Sequence, residues 1–165
     1  MAATPHPNEA LIARFYAAFA ELDAATMAAC YARDARFEDP VFSLAGREEI
    51  GSMWAMLCAA TRERGREEWR LEASGIAADG ASGRAHWEAH YRFSATGRLV
   101  HNRVDARMRF RDGLIVEHVD HFDFWAWARQ ALGTPGLLLG WTPMLRKKVR
   151  AQAATKLALF RAAGR

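Results

Sequence analysis

The spacing of hydrophobic residues before Gly65 predicts three amphipathic helices. Asn8 can cap the first helix and Asp23 the second, because short polar side chains accept hydrogen bonds from the free N–H groups of a first helical turn. The second helix is expected to continue through Tyr31. The third lies between Gly46 and Gly65 and has the clearest pattern, with apolar residues that return every three or four positions. These residues are Ile50, Met53, Trp54, Leu57 and Cys58.

Alternation of apolar and polar residues predicts a sheet in the second half of the chain. Four strands are expected between residues 69 and 124, separated by turns at Asp79-Gly80, Thr96-Gly97 and Asp112-Gly113. Because such short turns reverse the chain, neighbouring strands are expected to be antiparallel. A further short strand precedes the third helix and ends at Asp39. Helices followed by a meander indicate an α+β fold, in which a curved, mostly antiparallel sheet wraps over the N-terminal helices.

The C-terminal part of the chain has a different pattern. We predict a domain over residues 1–133 and a basic helical extension over residues 134–165 that packs on it. A short helix at 125–133 is expected to break at 135–143, before an amphipathic helix from Met144 to about Phe160. The apolar run Leu137–Leu139 is too short to span a bilayer. We expect it to pack over the open end of the domain or against a second subunit.

Composition and charge limit the class of protein. The chain has 165 residues, 51% hydrophobic and 25% charged, as in a soluble domain with its own core. Residues 134–165 hold seven basic and no acidic side chains, so residues 1–133 contribute −3 to the net charge of +4. A charge confined to one extension argues against nucleic-acid binding by the domain. A solvated basic face is a simpler interpretation than a membrane contact, so we expect no membrane partner.

Other sequence features indicate where the protein is located in the cell and whether it binds a metal ion. No apolar run precedes Asn8, so we expect no signal peptide and a cytoplasmic protein. Cys30 and Cys58 lie in helical patterns without metal-ligand spacing and are expected to be reduced. His86 and His90 are four residues apart on a predicted strand, too far for a comfortable chelate. We therefore expect neither a metal nor a cofactor.

Asp39 is the first candidate for chemistry. It closes the segment Tyr31-Ala-Arg-Asp-Ala-Arg-Phe-Glu-Asp-Pro40, in which proline forces the preceding residue into extended backbone. Apolar neighbours raise the pKa of a carboxyl group and make it a candidate general base. The alternative is an Asp-Pro turn with no chemical role.

The segment Glu117-His118-Val119-Asp120-His121-Phe122-Asp123 supplies the second group of candidates. Alternation puts His118, Asp120 and Phe122 on one face of the strand and the other four residues on the opposite face. We choose Asp120 as the acid/base group and His118 as its orienting partner. Asp123 would replace Asp120 if the register were shifted. The alternative is an ion network that only stabilises the sheet.

The block from Leu11 to Pro40, followed by Gly46-Arg-Glu-Glu-Ile50, resembles a cone-shaped superfamily. Its members include nuclear transport factor 2, ketosteroid isomerase and the SnoaL-like polyketide cyclases. The resemblance spans about residues 8–125 and implies a cone-shaped α+β domain. It puts Asp39 at the position of the isomerase base. It also puts Asp120 at the acidic position on the last strand of the cyclases.

The chain departs from ketosteroid isomerase at the oxyanion hole. Phe15 stands where the resemblance expects a tyrosine, with Tyr16 one step round the helix, and Ala106 stands where it expects a protonated acid. Because that pair of donors stabilises the dienolate oxygen, the departure argues against steroid isomerisation. Asn102 or the indole N–H of Trp87 could supply a replacement donor.

We therefore expect an apolar cavity that binds a small apolar organic ligand. The predicted lining residues are Phe15, Tyr16, Trp54, Trp87, Tyr91, Asn102, Met108 and Phe122. The favoured function is cofactor-independent acid/base catalysis by Asp39, Asp120 and His118. The reaction would be of isomerase, cyclase or dehydratase type, on a small apolar carbonyl or polyketide-like compound. The alternative is a non-catalytic ligand-binding or scaffold module. Charged residues on the outer sheet face, Arg103 and Arg107 among them, are expected to meet a second copy in a homodimer.

Overall fold

The computed structural model describes residues 4–164 and confirms an α+β fold with a C-terminal helix. Residues 1–3 and Arg165, which belong to the N-terminal segment and the basic extension considered above, lie outside the described residues. The helices are α1 (Pro7–Ala20), α2 (Ala24–Ala29), α3 (Arg47–Arg64), α4 (Phe124–Leu132), α5 (Thr134–Leu139) and α6 (Pro143–Ala162). The strands are β1 (Tyr31–Glu38), β2 (Ser43–Ala45), β3 (Arg70–Ala78), β4 (Ser82–Arg92), β5 (Leu99–Arg111) and β6 (Leu114–His121).

The strands form one open, curved sheet in the order β2-β1-β6-β5-β4-β3. The meander from β3 to β6 is antiparallel, as the short turns predict. β1 joins this meander by pairing in parallel with β6. The parallel pair is possible because α3 and four strands separate β1 from β6 and return the chain in the same direction. It places the end of β1 beside β6.

Local signals explain most helix boundaries. Asp23 caps α2 as predicted, with its Oδ1 accepting from the N–H of Thr26 at 3.1 Å. Gly46 and Gly65 flank α3 at φ angles of 94° and 99°, which favour glycine. The expected cap of α1 at Asn8 is wrong, because His6 caps this helix and its Nδ1 accepts from the Asn8 N–H at 3.1 Å. Proline suits a first helical turn, so α1 begins at Pro7, and the Asn8 amide instead donates to the Asp79 carbonyl at 2.8 Å.

Two other expectations about elements are wrong. The second helix ends at Ala29, and Tyr31 begins β1 because its ring and hydroxyl are held by buried groups of the sheet and α3. The segment expected to break the helices forms α5, which starts with Thr134 and Pro135. The missing side chain at Gly136 makes this possible, since a Cβ there would lie 1.9 Å from the carbonyl oxygen of Ala128.

The C-terminal helix α6 packs on the domain. Leu157 is buried in the main core, Arg150 Nη1 donates to the Pro40 carbonyl at 3.1 Å, and Arg161 pairs with Glu49 at 3.7 Å. The run Leu137–Leu139 does not cover the open end of the domain, because its three side chains are 42–62% exposed. No helix within residues 4–164 is both long enough and apolar enough to cross a membrane.

The sheet has one apolar and one charged face. On β5 the inward residues Val104, Ala106, Met108 and Phe110 are buried, and the arginines between them are exposed. The outer face carries intramolecular ion pairs, such as Glu88 with both His101 and Arg103 at 2.9 Å. Helices α1 and α3 pack against the apolar face. The concave side of the sheet is therefore where a ligand could be enclosed.

Candidate active site

A partly enclosed cavity of about 270 Å³ lies between the concave face of the sheet, α3 and the C-terminal helices. Most of its wall is aromatic or aliphatic, including Phe19, Phe42, Met53, Trp54, Trp69, Trp87, Phe93, Phe122 and Trp127. Among the described residues, two acidic side chains line it, Asp39 and Asp120. An apolar cavity with a few convergent polar groups is typical of a small-molecule site.

Strand pairing explains why these two carboxyl groups meet. In the parallel ladder Phe37 pairs with His118 and Glu38 pairs with Val119. The same register, continued by one residue, puts Asp39 beside Asp120. Side chains alternate across a sheet, so both acids share the inward face with Phe37 and His118.

Backbone donors hold one oxygen of Asp39. Oδ1 accepts from the N–H groups of Val41 and Phe42, each at 2.6 Å, so the Asp-Pro turn is also present. Within residues 4–164 no donor reaches Oδ2. Burial raises the pKa of Asp39 to about 6, although the N–H groups of Phe42 and Val41 oppose that rise. The charge of Asp120 raises the pKa of Asp39 further and that of His118 lowers it.

Asp79 shows that burial, rather than hydrogen bonding, decides this pKa. Its Oδ1 accepts from two backbone N–H groups at 2.8 Å, those of Ala81 and Ser82, in the same kind of turn. Asp79 is exposed, and the two N–H groups lower its pKa from 3.8. The same turn thus gives opposite shifts inside and outside the cavity.

Asp120 ends a chain of buried hydrogen bonds. Trp54 Nε1 donates to the Tyr31 hydroxyl at 3.1 Å, and that hydroxyl lies 2.7 Å from His118 Nδ1. His118 Nε2 lies 2.8 Å from Asp120 Oδ1. Burial raises the pKa of Tyr31 well above 10, so its O–H remains a donor to Nδ1. Both ring nitrogens of His118 therefore lie within hydrogen-bond distance of a polar side chain, and every group in the chain has a partner.

Two neutral groups in the wall can donate to a ligand. The Tyr91 hydroxyl accepts from Trp127 Nε1 at 2.9 Å, which leaves its own proton free for the cavity. Burial raises the pKa of Tyr91 to about 12, so this proton is present at neutral pH. The Asn102 side chain also lines the cavity and makes no hydrogen bond to another residue in the range 4–164.

The structure brings most of the predicted site residues together. The predicted residues that line the cavity are Asp39, Trp54, Trp87, Tyr91, Asn102, Asp120 and Phe122. His118 lies behind Asp120 and is fully buried. Phe15, Tyr16 and Met108 are buried in the core and do not line the cavity, because the first layer of side chains separates them from it. Asp123 is exposed and caps α4, with Oδ1 accepting from the Ala126 N–H at 3.0 Å.

Sequence patterns do not reveal two contributions to the site. The helical pattern of α2 extends over Tyr31, although an aromatic residue beside Ala-Arg-Asp-Ala-Arg-Phe fits a strand as well. The second contribution is the wall supplied by α6, namely Val149, Gln152, Ala153 and Lys156. Their spacing is visible as a helix stripe, but nothing in it indicates which surface the stripe meets.

An open curved sheet over helices is the architecture of the cone-shaped α+β class. The profile of the SnoaL-like domain family matches residues 12–118. The chain belongs to that family, which confirms the resemblance seen in the sequence.

Solved structures with the same fold support this assignment. A protein described as a polyketide cyclase from Xanthomonas campestris pv. campestris is 20% identical, with a TM-score of 0.59 over 75% of this chain and 96% of that chain. A Catenulispora acidiphila protein with a ketosteroid isomerase-like fold, in complex with trimethylamine, is 17% identical, with a TM-score of 0.64 over 81% and 97% of the chains. An epoxide hydrolase of limonene-epoxide-hydrolase type from M. tuberculosis is 20% identical, with a TM-score of 0.58 over 84% and 95%.

At these identities the likeness to solved structures establishes the fold alone. No curated protein matches the chain in sequence. The side chains of this cavity therefore determine which reaction the protein can catalyse. Within the described residues, no group of three or more His, Cys, Asp and Glu side chains is arranged to hold a metal ion.

Proposed function

We propose that the protein is a cofactor-independent acid/base enzyme that acts on a small apolar carbonyl compound. One observation carries the proposal: two carboxyl groups line the same apolar cavity, and burial brings the pKa of Asp39 to about 6. A base works best when its pKa lies near the working pH, because it is then both ionised and able to hold the proton it takes.

In the proposed reaction, Asp39 removes a proton from the carbon next to a carbonyl group. The electron pair of the broken C–H bond moves toward the carbonyl oxygen, which becomes an enolate. Tyr91 O–H and the Asn102 amide are the donors that this oxygen can use, in place of the donors missing at Phe15 and Ala106. The proton then returns to carbon, so the reaction needs no oxidant or reductant.

Asp120 is the second acid/base group in this proposal. Its Oδ1 lies 2.8 Å from His118 Nε2 and accepts from Trp87 Nε1 at 3.4 Å, so this indole N–H points at Asp120 and not at a ligand. No donor within residues 4–164 reaches its Oδ2. His118 acts as a positioning residue, since it is fully buried and contacts the carboxyl group rather than the cavity. A second carboxyl group allows the proton to be delivered to a different atom. In an isomerisation this atom is another carbon, and in an aldol cyclisation it is the oxygen of the carbonyl group that the enolate carbon attacks.

Deuterium exchange tests this proposal without knowledge of the natural substrate. The probe is phenylacetone, an apolar ketone with acidic C–H bonds, and its exchange in deuterated water is followed by NMR. Asp39→Asn should slow the enzyme-dependent exchange at least about a hundredfold, and Asp120→Asn should cause a similar loss. His118→Gln should cause a smaller loss.

Asp123→Asn is the matched control, because Asp123 is an exposed carboxyl group of the same chain segment. The exchange rate should rise with pH through about 6 and then level off, since only ionised Asp39 accepts a proton. Binding of phenylacetone without any exchange that depends on Asp39 would favour a non-catalytic binding module.

A further inference from the structure

One face of α6 forms part of the cavity wall. Val149, Gln152, Ala153 and Lys156 line the cavity, and their spacing of three, one and three residues puts them on a single helix face. This helix lies beyond residues 12–118, the part of the chain that the family profile matches. The wall is therefore an addition to the part of the chain that the family shares. Its polar side chains can select the charge of the ligand, which the rest of the cavity does not.

Lys156 is the cation of this wall that has no counter-charge. It is exposed, and no acidic side chain within residues 4–164 forms an ion pair with it. The other cationic residue of the lining, Arg92, is already neutralised. Its Nε donates to Glu68 at 2.8 Å, and its Nη1 donates to the Gly97 carbonyl at 2.6 Å. The side-chain amide of Gln152 likewise has no hydrogen-bond partner in the described part of the chain.

The cavity lining thus carries charges of both signs. Asp39 and Asp120 supply negative charge in the interior, whereas α6 supplies a positive charge and an amide at the rim. An anionic group would be repelled by the two carboxylates and attracted by Lys156, so it could bind in only one orientation. Most of the remaining lining is aromatic or aliphatic.

We propose that the cavity takes an amphipathic anion, a compact apolar body that carries one carboxylate, with that carboxylate bound by Lys156 and Gln152. A volume of about 270 Å³ limits such a ligand to a small organic molecule. The carbonyl end of such a ligand would reach Asp39, and this last point rests on the proposed function. The preference for an anion does not depend on it.

Calorimetric titration with cinnamate and cinnamamide tests the preference. The two probes have the same shape and differ in charge. At low salt and near-neutral pH, the wild-type protein should bind cinnamate about fivefold more tightly than cinnamamide, the scale of one partly exposed ion pair. Lys156→Met should remove this difference and leave cinnamamide binding unchanged, and Lys156→Arg should keep it.

Lys148→Met is the matched control, because Lys148 lies on the same helix, is exposed and does not line the cavity. It should change neither affinity. Equal affinities of the wild-type protein for the two probes would overturn the proposal, as would equal losses from Lys156→Met and Lys148→Met or the absence of binding by both probes. Because the titration needs no turnover, its failure is distinct from a failure of the exchange assay.

Discussion

Tyr16 and Tyr31 are buried tyrosines whose hydroxyl groups have opposite surroundings. The Tyr31 hydroxyl connects Trp54 to His118 and through it to Asp120. The Tyr16 hydroxyl is the one buried side-chain polar atom without a hydrogen-bond partner among residues 4–164. A buried polar group without a partner loses its hydration and gains nothing in return. The two side chains should therefore respond differently to loss of the hydroxyl.

Tyr31→Phe is expected to lower the free energy of unfolding by about 1–3 kcal/mol, because it leaves His118 Nδ1 and Trp54 Nε1 unsatisfied. Tyr16→Phe is expected to leave stability unchanged or raise it slightly. Urea denaturation of the two variants measures both effects. Equal losses in the two variants would show that the hydrogen-bond chain does not stabilise the fold.

The pKa of Asp39 predicts a pH dependence of stability. Since this pKa is about 6 in the folded protein and 3.8 for an unperturbed aspartate in the unfolded chain, the folded state holds the proton more tightly. The stabilisation is complete below pH 3.8 and is lost as the pH rises through about 6. Asp39→Asn keeps the acceptor for Val41 and Phe42 and removes the buried charge.

Asp39→Asn should therefore be more stable than the wild-type protein at pH 8, by up to about 3 kcal/mol. The difference should shrink to nothing below about pH 4. Urea denaturation of both proteins across this range gives the result. A difference that does not change with pH would mean that Asp39 is not desolvated.

At the scale of helices and strands, local sequence signals predict most elements. They fail where contacts with distant parts of the chain determine the boundary of an element. The periodicity of α3 and its two flanking glycines predict both of its ends. The boundary between α2 and β1 escapes prediction because Tyr31 is fixed by His118, which is 87 residues away in sequence. Helix α5 cannot be predicted from the sequence either, because it requires Gly136 to lie close to α4. No local sequence pattern indicates this contact.

A substitution at Asp123 distinguishes an effect on the stability of α4 from an effect on catalysis in the cavity. Asp123→Ala should lower the free energy of unfolding by about 1 kcal/mol, because the Ala126 N–H loses its acceptor. The exchange activity and its pH profile should not change. A loss of activity as large as that of Asp120→Asn would mean that Asp123 also takes part in the chemistry.

At the scale of the whole molecule, the sequence pattern predicts the side chains of the site but not all of their neighbours. Alternation places Asp120 on the inner face of β6, and Pro40 fixes Asp39 at the end of β1. Their adjacency depends on the parallel pairing of β1 with β6, which joins residues about 80 apart. The wall formed by α6 depends likewise on packing between distant segments.

The expected homodimer concerns the whole molecule and stays a prediction. Large apolar side chains are exposed between α4 and the start of α6, with Leu138 at 62%, Trp141 at 69% and Met144 at 69%. Monomeric proteins rarely expose such a group together. We expect sedimentation to show a dimer that the double substitution Leu138→Ser with Trp141→Ser weakens. The control is Leu159→Ser, which changes a leucine on α6 that is 66% exposed. A monomer in wild-type protein would contradict this.

Burial in the cavity is what makes Asp39 a base, and NMR titration of the side-chain carboxyl carbons tests this most directly. Asp79 serves as an internal reference with the same pair of backbone hydrogen bonds. We predict that Asp39 titrates near 6 and Asp79 below 3.8. If Asp39 titrates at or below 3.8 together with Asp79, the cavity does not hold a poised carboxyl group, and the proposed catalysis is contradicted.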